Sequence, residues 1–294
     1  MSVIRTDLAI EARELYGKEE IPGIRSVEEK HSYCTIDRVS VLDKRGEDAI
    51  GRPRGEYITV ILEGGSETDY KRFDETVKAL AGELRSILPS NTNEVMVAGL
   101  GNMMITPDSL GPKVIAQLMV TRHIVKTGGA AFAGLRPVSA ISPGVLGITG
   151  IETGEILQGI CEKTRPSCLI AVDALASRRV SRLCRTIQLA DTGIVPGSGV
   201  GNRRFAINSE TLGMPVIALG VPTVVDAATL AADIVADSGQ SVDIERLERL
   251  EHGLIVTPRE IDSQISFISK VVAYGINMAL QKDISIEDID LFLS

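Results

Sequence analysis

The chain has 294 residues, enough to bury a sizeable hydrophobic core as one large domain or two smaller ones. Its formal net charge of −8 disfavours sequence-independent binding to nucleic acid, and no apolar run is long enough to span a membrane, so we expect a soluble protein. Its four cysteines lack paired CxxC spacing and no signal peptide precedes them, which predicts reduced, half-buried thiols in a cytoplasm.

The first fifty or so residues are polar and rich in charge, and they are predicted to form an arm whose order depends on packing against the rest. After this arm, short β-branched runs alternate with segments of helical periodicity. The predicted strands are YITVILE, EVMVAGL, PVSAI, CLIAVDA, TIQLAD, PVIALG and GLIVTP. The predicted helices are FDETVKALAGELRSIL, DSLGPKVIAQLMVTRHIV, DAATLAADIVAD and EIDSQISFISKVVAYGINMALQ, and QKDISIEDIDLFLS is predicted to be an acidic tail helix or docking segment. This alternation predicts an α/β fold with a mainly parallel or mixed sheet and helices on both faces.

Two aspartates are predicted at the carboxyl ends of strands, where ligands and catalytic groups gather in open α/β sheets. Asp108 follows the strand EVMVAGL through a short loop and stands where a helix is predicted to begin, and Asp173 ends the strand CLIAV. If these strands are neighbours, the two carboxyl groups face one crevice, and one of them keeps its proton while the other acts as a base. The alternative is that Asp108 only caps a helix and Asp173 only ends a strand.

The glycine turn GLGN, from Gly99 through Gly101 to Asn102, lacks the GK[ST] ending of a phosphate-binding P-loop. The acid at Asp108 also disfavours an anion at the start of the following helix. We therefore interpret Gly99, Gly101 and Asn102 as a tight turn that brings main chain close to a substrate.

Two glycine-rich stretches, PGVLGITGIETGE and DTGIVPGSGVGNRR, are too long for tight connections. They carry many main-chain N–H groups together with the side chains of Thr149, Glu152, Arg203 and Arg204. Such loops bind an extended peptide or donate to a developing oxyanion; alternatively, their glycines only provide backbone angles that the fold needs.

Other catalytic patterns are weak or missing in the sequence. The single DTG triplet at Asp191 resembles that of pepsin-like proteases, but those enzymes need two triplets on β-rich lobes. The sequence has no HExxH spacing and no G-x-S-x-G elbow, so neither a dedicated metal site nor a serine nucleophile is predicted. Metal-independent carboxylate chemistry remains, with no cofactor.

Seven blocks of the sequence resemble, in order, the germination proteases of spore-forming bacteria, which are atypical aspartic endopeptidases. These blocks are RTDLAIEA, GLGNMMITPDSLGP, SPGVLGITGIETGE, VDALASRR, DTGIVPGSGVGNRR, PVIALGVPTVVDA and IVTPREID. The GLGN and VDA portions also resemble hydrogenase-maturation endopeptidases, whose α/β fold the germination proteases share.

The resemblance implies an endopeptidase that degrades small acid-soluble spore proteins in the spore core during germination. It implies catalysis by Asp108 and Asp173, assembly as a homotetramer made as a zymogen, and self-cleavage between Asp7 and Leu8. The implied organisation is a propeptide of residues 1–7, followed by a single domain over residues 8–294 whose residues 8–55 are the polar arm. The chain as given is then the unprocessed form.

Three alternatives stay open, the last of which is a small-molecule hydrolase or transferase that uses the glycine loops and has a compact closed pocket, whereas a protease needs an open groove. In the first, a peptidase like the hydrogenase-maturation enzymes uses the same acids as metal ligands, and a chelator stops activity or substrate recognition. In the second, the chain is a non-enzymatic spore factor that binds DNA or protein, although its net charge disfavours DNA and a binding module has little need for two acids at strand ends.

Overall fold

The computed structural model describes residues 5–17, 19–64, 70–128, 132, 134–197, 205–237 and 253–294, and within them nine strands form one sheet. The strands are β1 (Ile24–Lys30), β2 (Cys34–Val41), β3 (Gly55–Leu62), β4 (Val95–Gly99), β5 (Val138–Ile141), β6 (Cys168–Ser177), β7 (Thr186–Ala190), β8 (Val216–Asp226) and β9 (Ile255–Val256). The helices are α1 (Ala9–Glu14), α2 (Lys44–Ile50), α3 (Tyr70–Ile87), α4 (Leu110–Ile115), α5 (Arg122–Thr127), α6 (Leu146–Thr149), α7 (Thr153–Thr164), α8 (Ser209–Leu212), α9 (Ala227–Asp237), α10 (Ile261–Leu280) and α11 (Ile286–Leu293). No helix among these residues combines the length and apolar character needed to cross a bilayer.

The sheet is mixed, and helices cover both of its faces. The strand order is β1-β2-β3-β7-β8-β6-β4-β5, and β9 pairs with β8. Neighbouring strands are antiparallel in the half formed by β1, β2, β3, β7 and β8. They are parallel in the half formed by β8, β6, β4 and β5. On one face α3, α4 and α10 pack against residues such as Val97, and on the other α7 packs against Met96 and Ala98. The predicted α/β class is therefore confirmed.

The central strands are buried on both faces, which is why continuous apolar runs in the sequence predict them correctly. All eleven residues of β8 are buried, and β6 is buried along almost its whole length. A strand covered on both faces needs apolar side chains at consecutive positions, so it appears in the sequence as an unbroken run.

The segment predicted as a polar arm, residues 8–55, is instead built into the sheet. β1 and β2 form a hairpin, and β2 pairs along its whole length with β3. β2 is largely buried, whereas six of the seven β1 residues are exposed because β1 is the edge strand. Charged side chains are typical of an edge strand, since they discourage further strand pairing. The division into a propeptide and a single domain from residue 8 to 294 stays a prediction.

The prediction of one helix over DSLGPKVIAQLMVTRHIV was wrong. The chain forms a 3-10 turn at Thr106–Asp108 and then two short helices, α4 and α5. Between them the buried side chain of Asn277 accepts from the Met119 N–H at 2.9 Å and donates to the Gln117 carbonyl at 3.0 Å. These bonds satisfy main-chain groups that a continuous helix would have used, so the helix is interrupted by a contact with α10.

Candidate active site

The strands that precede the two aspartates are direct neighbours. β4 pairs in parallel with β6, with Gly99 opposite Val172, so the carboxyl end of β4 and the following part of β6 lie side by side. A cavity of about 310 Å³ opens at this position, and Asp108 and Asp173 both line it. The two strands are therefore neighbours, and both carboxyl groups lie at one cavity, as the sequence interpretation required.

Asp108 is held by the glycine turn. Its Oδ2 accepts from the Asn102 N–H at 2.8 Å, and its carbonyl oxygen accepts from the same N–H at 3.0 Å. Gly101 has φ +105°, and a Cβ there would lie 2.1 Å from the Asp108 carbonyl oxygen, so only glycine fits. The N-cap of α4 is Ser109, so Asp108 does not occupy the capping position that the alternative interpretation gave it.

Asp173 lies inside β6 rather than at its end, since the strand continues to Ser177. Its side chain is buried, and its Oδ1 accepts from the Ala174 N–H at 2.9 Å. Burial raises the pKa of Asp173 well above its ordinary value, and the negative charges of Asp108 and then Asp7 raise it further, against the opposing effect of the Ala174 N–H. This environment favours the protonated form of Asp173.

A third acid, Asp7, lines the same cavity. The Asp7 N–H donates to the Ala176 carbonyl at 2.8 Å, and the Ala176 N–H donates to Asp7 Oδ2 at 2.9 Å, so this residue is bound to β6 three positions beyond Asp173. The next residue, Leu8, is fully buried and packs against Leu175 and Ile10. The bond between Asp7 and Leu8 therefore lies at the edge of the cavity that contains both candidate catalytic acids.

The segment around this bond is anchored on both sides. On the amino side, the Arg5 guanidinium contacts Asp226 at 3.0 Å. On the carboxyl side, the fully buried Glu11 accepts from the Arg178 and Arg179 N–H groups at 2.6 and 3.0 Å, and Arg182 lies 3.3 Å away. These contacts fix residues 5–11 against the end of β8 and the turn that follows β6.

Most of the other residues predicted to bind substrate lie around the cavity rather than in its wall. Gly101 does line it. Gly99 lies under α4, where a Cβ would come within 2.3 Å of the Gly111 carbonyl oxygen, and the N–H of Asn102 holds Asp108. The Thr149 hydroxyl donates within its own loop to the Ile151 carbonyl at 2.9 Å, and Glu152 is the N-cap of α7.

Arg203 and its neighbour Arg204 lie outside the described residues. The glycine loop before α7 instead contributes Val145, Leu146 and the first helical residue, Thr153, to the cavity.

The remaining sequence motifs have structural surroundings of their own. Asp191 of the DTG triplet accepts from the Glu56 N–H at 2.9 Å and does not line the cavity. All four cysteines are buried. Within the part of the chain that the structure describes, no three His, Cys, Asp or Glu side chains converge in a way that would hold a metal ion.

Comparison with known proteins identifies the family. A family model described as "Germination protease" matches residues 3–242. The chain belongs to the germination protease family. Its relatives include the germination proteases of Caldanaerobacter subterraneus, 46% identical over 99% of this chain and 98% of the relative, and of Clostridium tetani, 43% identical over 99% of each. The germination protease of Bacillus subtilis is 37% identical over 97% of this chain and 95% of the relative.

Membership of this family confirms the resemblance inferred from the seven sequence blocks and makes the chain a protease of spore germination. Two solved structures are also similar. The [NiFe] hydrogenase maturation protease HycI from Thermococcus kodakarensis matches with 17% identity and a TM-score of 0.37, over 66% of this chain and 98% of that one. The hydrogenase maturating endopeptidase HybD from E. coli matches with 17% identity and a TM-score of 0.27, over 56% and 98%.

Proposed function

We propose that this germination protease is an endopeptidase that uses Asp108 and Asp173 as an acid pair. In this proposal it first cuts its own chain between Asp7 and Leu8, and afterwards degrades small acid-soluble spore proteins. The main support for this proposal is the position of Asp7, which lines the same cavity as both acids. Asp7 is one of the two residues joined by the bond that the sequence predicts to be cleaved.

The electrostatics of the pair support a division of roles. Asp173 is buried and its pKa is raised by burial and by the charge of Asp108, so it keeps its proton when Asp108 is ionised. Asp108 is half-buried, and its Oδ2 accepts from the Asn102 N–H. As the partner of a protonated acid, Asp108 is the ionised member of the proposed pair. Asp108 then removes a proton from a water molecule while protonated Asp173 polarises the peptide carbonyl, as in a general acid–base pair.

The position of the N-terminal segment supports the further proposal that activity is restrained before processing. Asp7 occupies part of the cavity wall, and the buried side chain of Leu8 fills the adjoining space. A protein substrate cannot enter this position while residues 5–7 remain there. Because the segment belongs to the same chain as the acids, the first cut is intramolecular, and release of residues 1–7 opens the cavity.

The proposal is tested by incubating purified small acid-soluble spore protein with the wild type, Asp108→Asn and Asp173→Asn, and following the substrate by mass spectrometry. We expect rapid cleavage by the wild type and a loss of at least about a thousandfold in each variant, the scale seen when a catalytic residue is removed. Full activity in either variant contradicts the pair. Binding of the spore protein without cleavage by the wild type would favour the alternative of a non-enzymatic factor.

Assembly as a homotetramer is proposed on the family resemblance alone. Light scattering on the purified full chain tests it, and the expected mass is four times the 31.5 kDa of one chain. A monomer mass would contradict it without affecting the acid pair.

A further inference from the structure

We infer that Gln188 is a further catalytic residue of this protease, and that its side-chain amide binds the carbonyl oxygen of the Asp7–Leu8 bond during cleavage. The inference rests on the proposed self-cleavage of that bond. Gln188 lies in the middle of β7 and carries no recognisable motif, but its side chain contacts the peptide that is cut.

The amide of Gln188 spans the bond with two hydrogen bonds. Its Nε2 donates to the Asp7 carbonyl oxygen at 3.1 Å, and its Oε1 accepts from the Ala9 N–H at 2.7 Å. A main-chain N–H only donates and a carbonyl only accepts, so these two partners fix which end of the amide faces the bond. Gln188 is also buried, and a donor shielded from water acts more strongly on a developing charge than an exposed one does.

The sheet register places Gln188 and Asp173 on either side of this segment. Gln188 is opposite Gly220 of β8, and Gly220 is opposite Asp173 of β6, so the two side chains share a face of the sheet and their Cα atoms are separated by two strand spacings, about 10 Å. Gly220 has no side chain, and a Cβ there would lie 2.5 Å from Leu175, which packs under Leu8.

Asp7 lines two cavities, one with Asp173 on the β6 side and one with Gln188 on the β7 side. The peptide to be cut is therefore in contact with Gln188 on one side and adjacent to the acids on the other. A carbonyl oxygen has two lone pairs, so the Gln188 amide and the protonated carboxyl of Asp173 can bind it together.

The reaction balances with these groups. Asp108 takes one proton from water, the water oxygen bonds to the Asp7 carbonyl carbon, and the π electrons move to the carbonyl oxygen, which takes the Asp173 proton while Gln188 donates to it. On collapse, the bond to the Leu8 nitrogen breaks, that nitrogen takes the proton held by Asp108, and the hydroxyl returns its proton to Asp173. Gln188 exchanges no proton, so it acts only by stabilising charge on the oxygen.

The test uses the full chain with Gln188→Ala, Gln188→Met and Gln188→Glu, and the release of residues 1–7 is followed by mass spectrometry over time. Loss of one oxyanion donor typically lowers the rate by about 10²–10³-fold, and we expect this reduction for alanine and methionine. Methionine keeps the length of the side chain and guards against a simple packing defect. For Gln188→Glu we expect the rate relative to wild type to recover as the pH falls, because the introduced carboxyl can donate only when it is protonated.

Gln281 provides a matched control. It is also buried, and it binds one stretch of main chain at two points, accepting from the Arg136 N–H at 2.9 Å and donating to the Arg136 carbonyl at 3.1 Å. Gln281→Ala removes an equivalent amide clamp at a position that is not cut, so we expect a similar loss of stability with processing that stays near the wild-type rate.

Three outcomes separate the possibilities. If Gln188→Ala and Gln188→Met process as fast as the wild type, or faster, the amide only holds the segment and the inference is wrong. A reduction no larger than that of Gln281→Ala also overturns it. If Asp108→Asn still releases residues 1–7, the proposed acid pair fails, whatever the Gln188 variants do.

Discussion

Replacement of Glu11 by alanine tests whether the N-terminal segment is docked as described. The Glu11 carboxylate binds two main-chain N–H groups, those of Arg178 and Arg179, at 2.6 and 3.0 Å. A hydrogen bond to a charged group contributes roughly 1.5–3 kcal/mol, and we take the low end because both N–H groups are only partly buried. Two such bonds together contribute about 3 kcal/mol to docking of the segment. Loss of the contact between Glu11 and Arg182 adds little to this figure, because Arg182 keeps its ion pair with Glu14 at 2.5 Å.

A loss of about 3 kcal/mol corresponds to a change of roughly 150-fold in the equilibrium between docked and open segment. The assay is amide hydrogen exchange over residues 8–12 in the full chain, kept uncut by Asp108→Asn. We expect exchange there to rise by about this factor in Glu11→Ala, while the central strands keep their protection. Glu14→Ala is the matched control, since its partly exposed ion pair contributes only about 0–1 kcal/mol. Equal exchange in the two variants would refute the reasoning.

Three further predictions concern the site. The folded-state pKa of Asp173 is raised, so the stability contributed by its protonated form is present below the unfolded-state pKa and is lost as the pH rises through the folded-state pKa. Asp173→Asn should therefore be more stable than the wild type at neutral pH and equally stable in acid. Denaturant unfolding across this pH range checks the prediction, and a difference in stability that does not depend on pH contradicts it. Gly101→Ala should slow self-processing strongly by displacing Asp108. The control is Gly150→Ala, which is also at positive φ but has open space around it, so it should cost only about 1 kcal/mol of unfolding free energy and leave processing intact. Equal effects of the two substitutions on processing would show that the turn does not position the acid. EDTA should leave the processing rate unchanged, and a loss that added metal restores would favour the metal-dependent alternative.

The core of the fold could be predicted from the sequence because the central strands are covered on both faces and form continuous apolar runs. The edge of the sheet could not, since β1 is exposed and charged and therefore resembles a loop. α7 was missed because it begins inside the glycine-rich stretch and contains two glycines, Gly154 and Gly159. Gly154 is needed because a Cβ there would come within 2.1 Å of the Phe205 ring. The interruption between α4 and α5 depends on Asn277, a contact across more than 150 residues that local periodicity does not report.

The candidate site was predictable where it follows from strand ends and not where it depends on long-range packing. Asp108 and Asp173 could be chosen because residues towards the carboxyl ends of neighbouring parallel strands share one crevice, although Asp173 lies within β6 and not in the loop after it. The position of Asp7 depends on pairing with Ala176, and the role of Gln188 depends on the same segment, so neither has a local signal. The one available hint was a polar side chain within the buried run TIQLA.

The most direct test of the account is the N-terminal mass of the full chain after incubation, measured at several protein concentrations. We predict that the wild type loses residues 1–7 and begins at Leu8, with a rate that does not depend on concentration because the cut is intramolecular. We predict that Asp108→Asn and Asp173→Asn keep residues 1–7 when incubated alone. They should also keep these residues at early times when a small amount of wild type is added, because the cut is intramolecular. Cleavage at another bond, or release of residues 1–7 by either variant alone, would contradict the account.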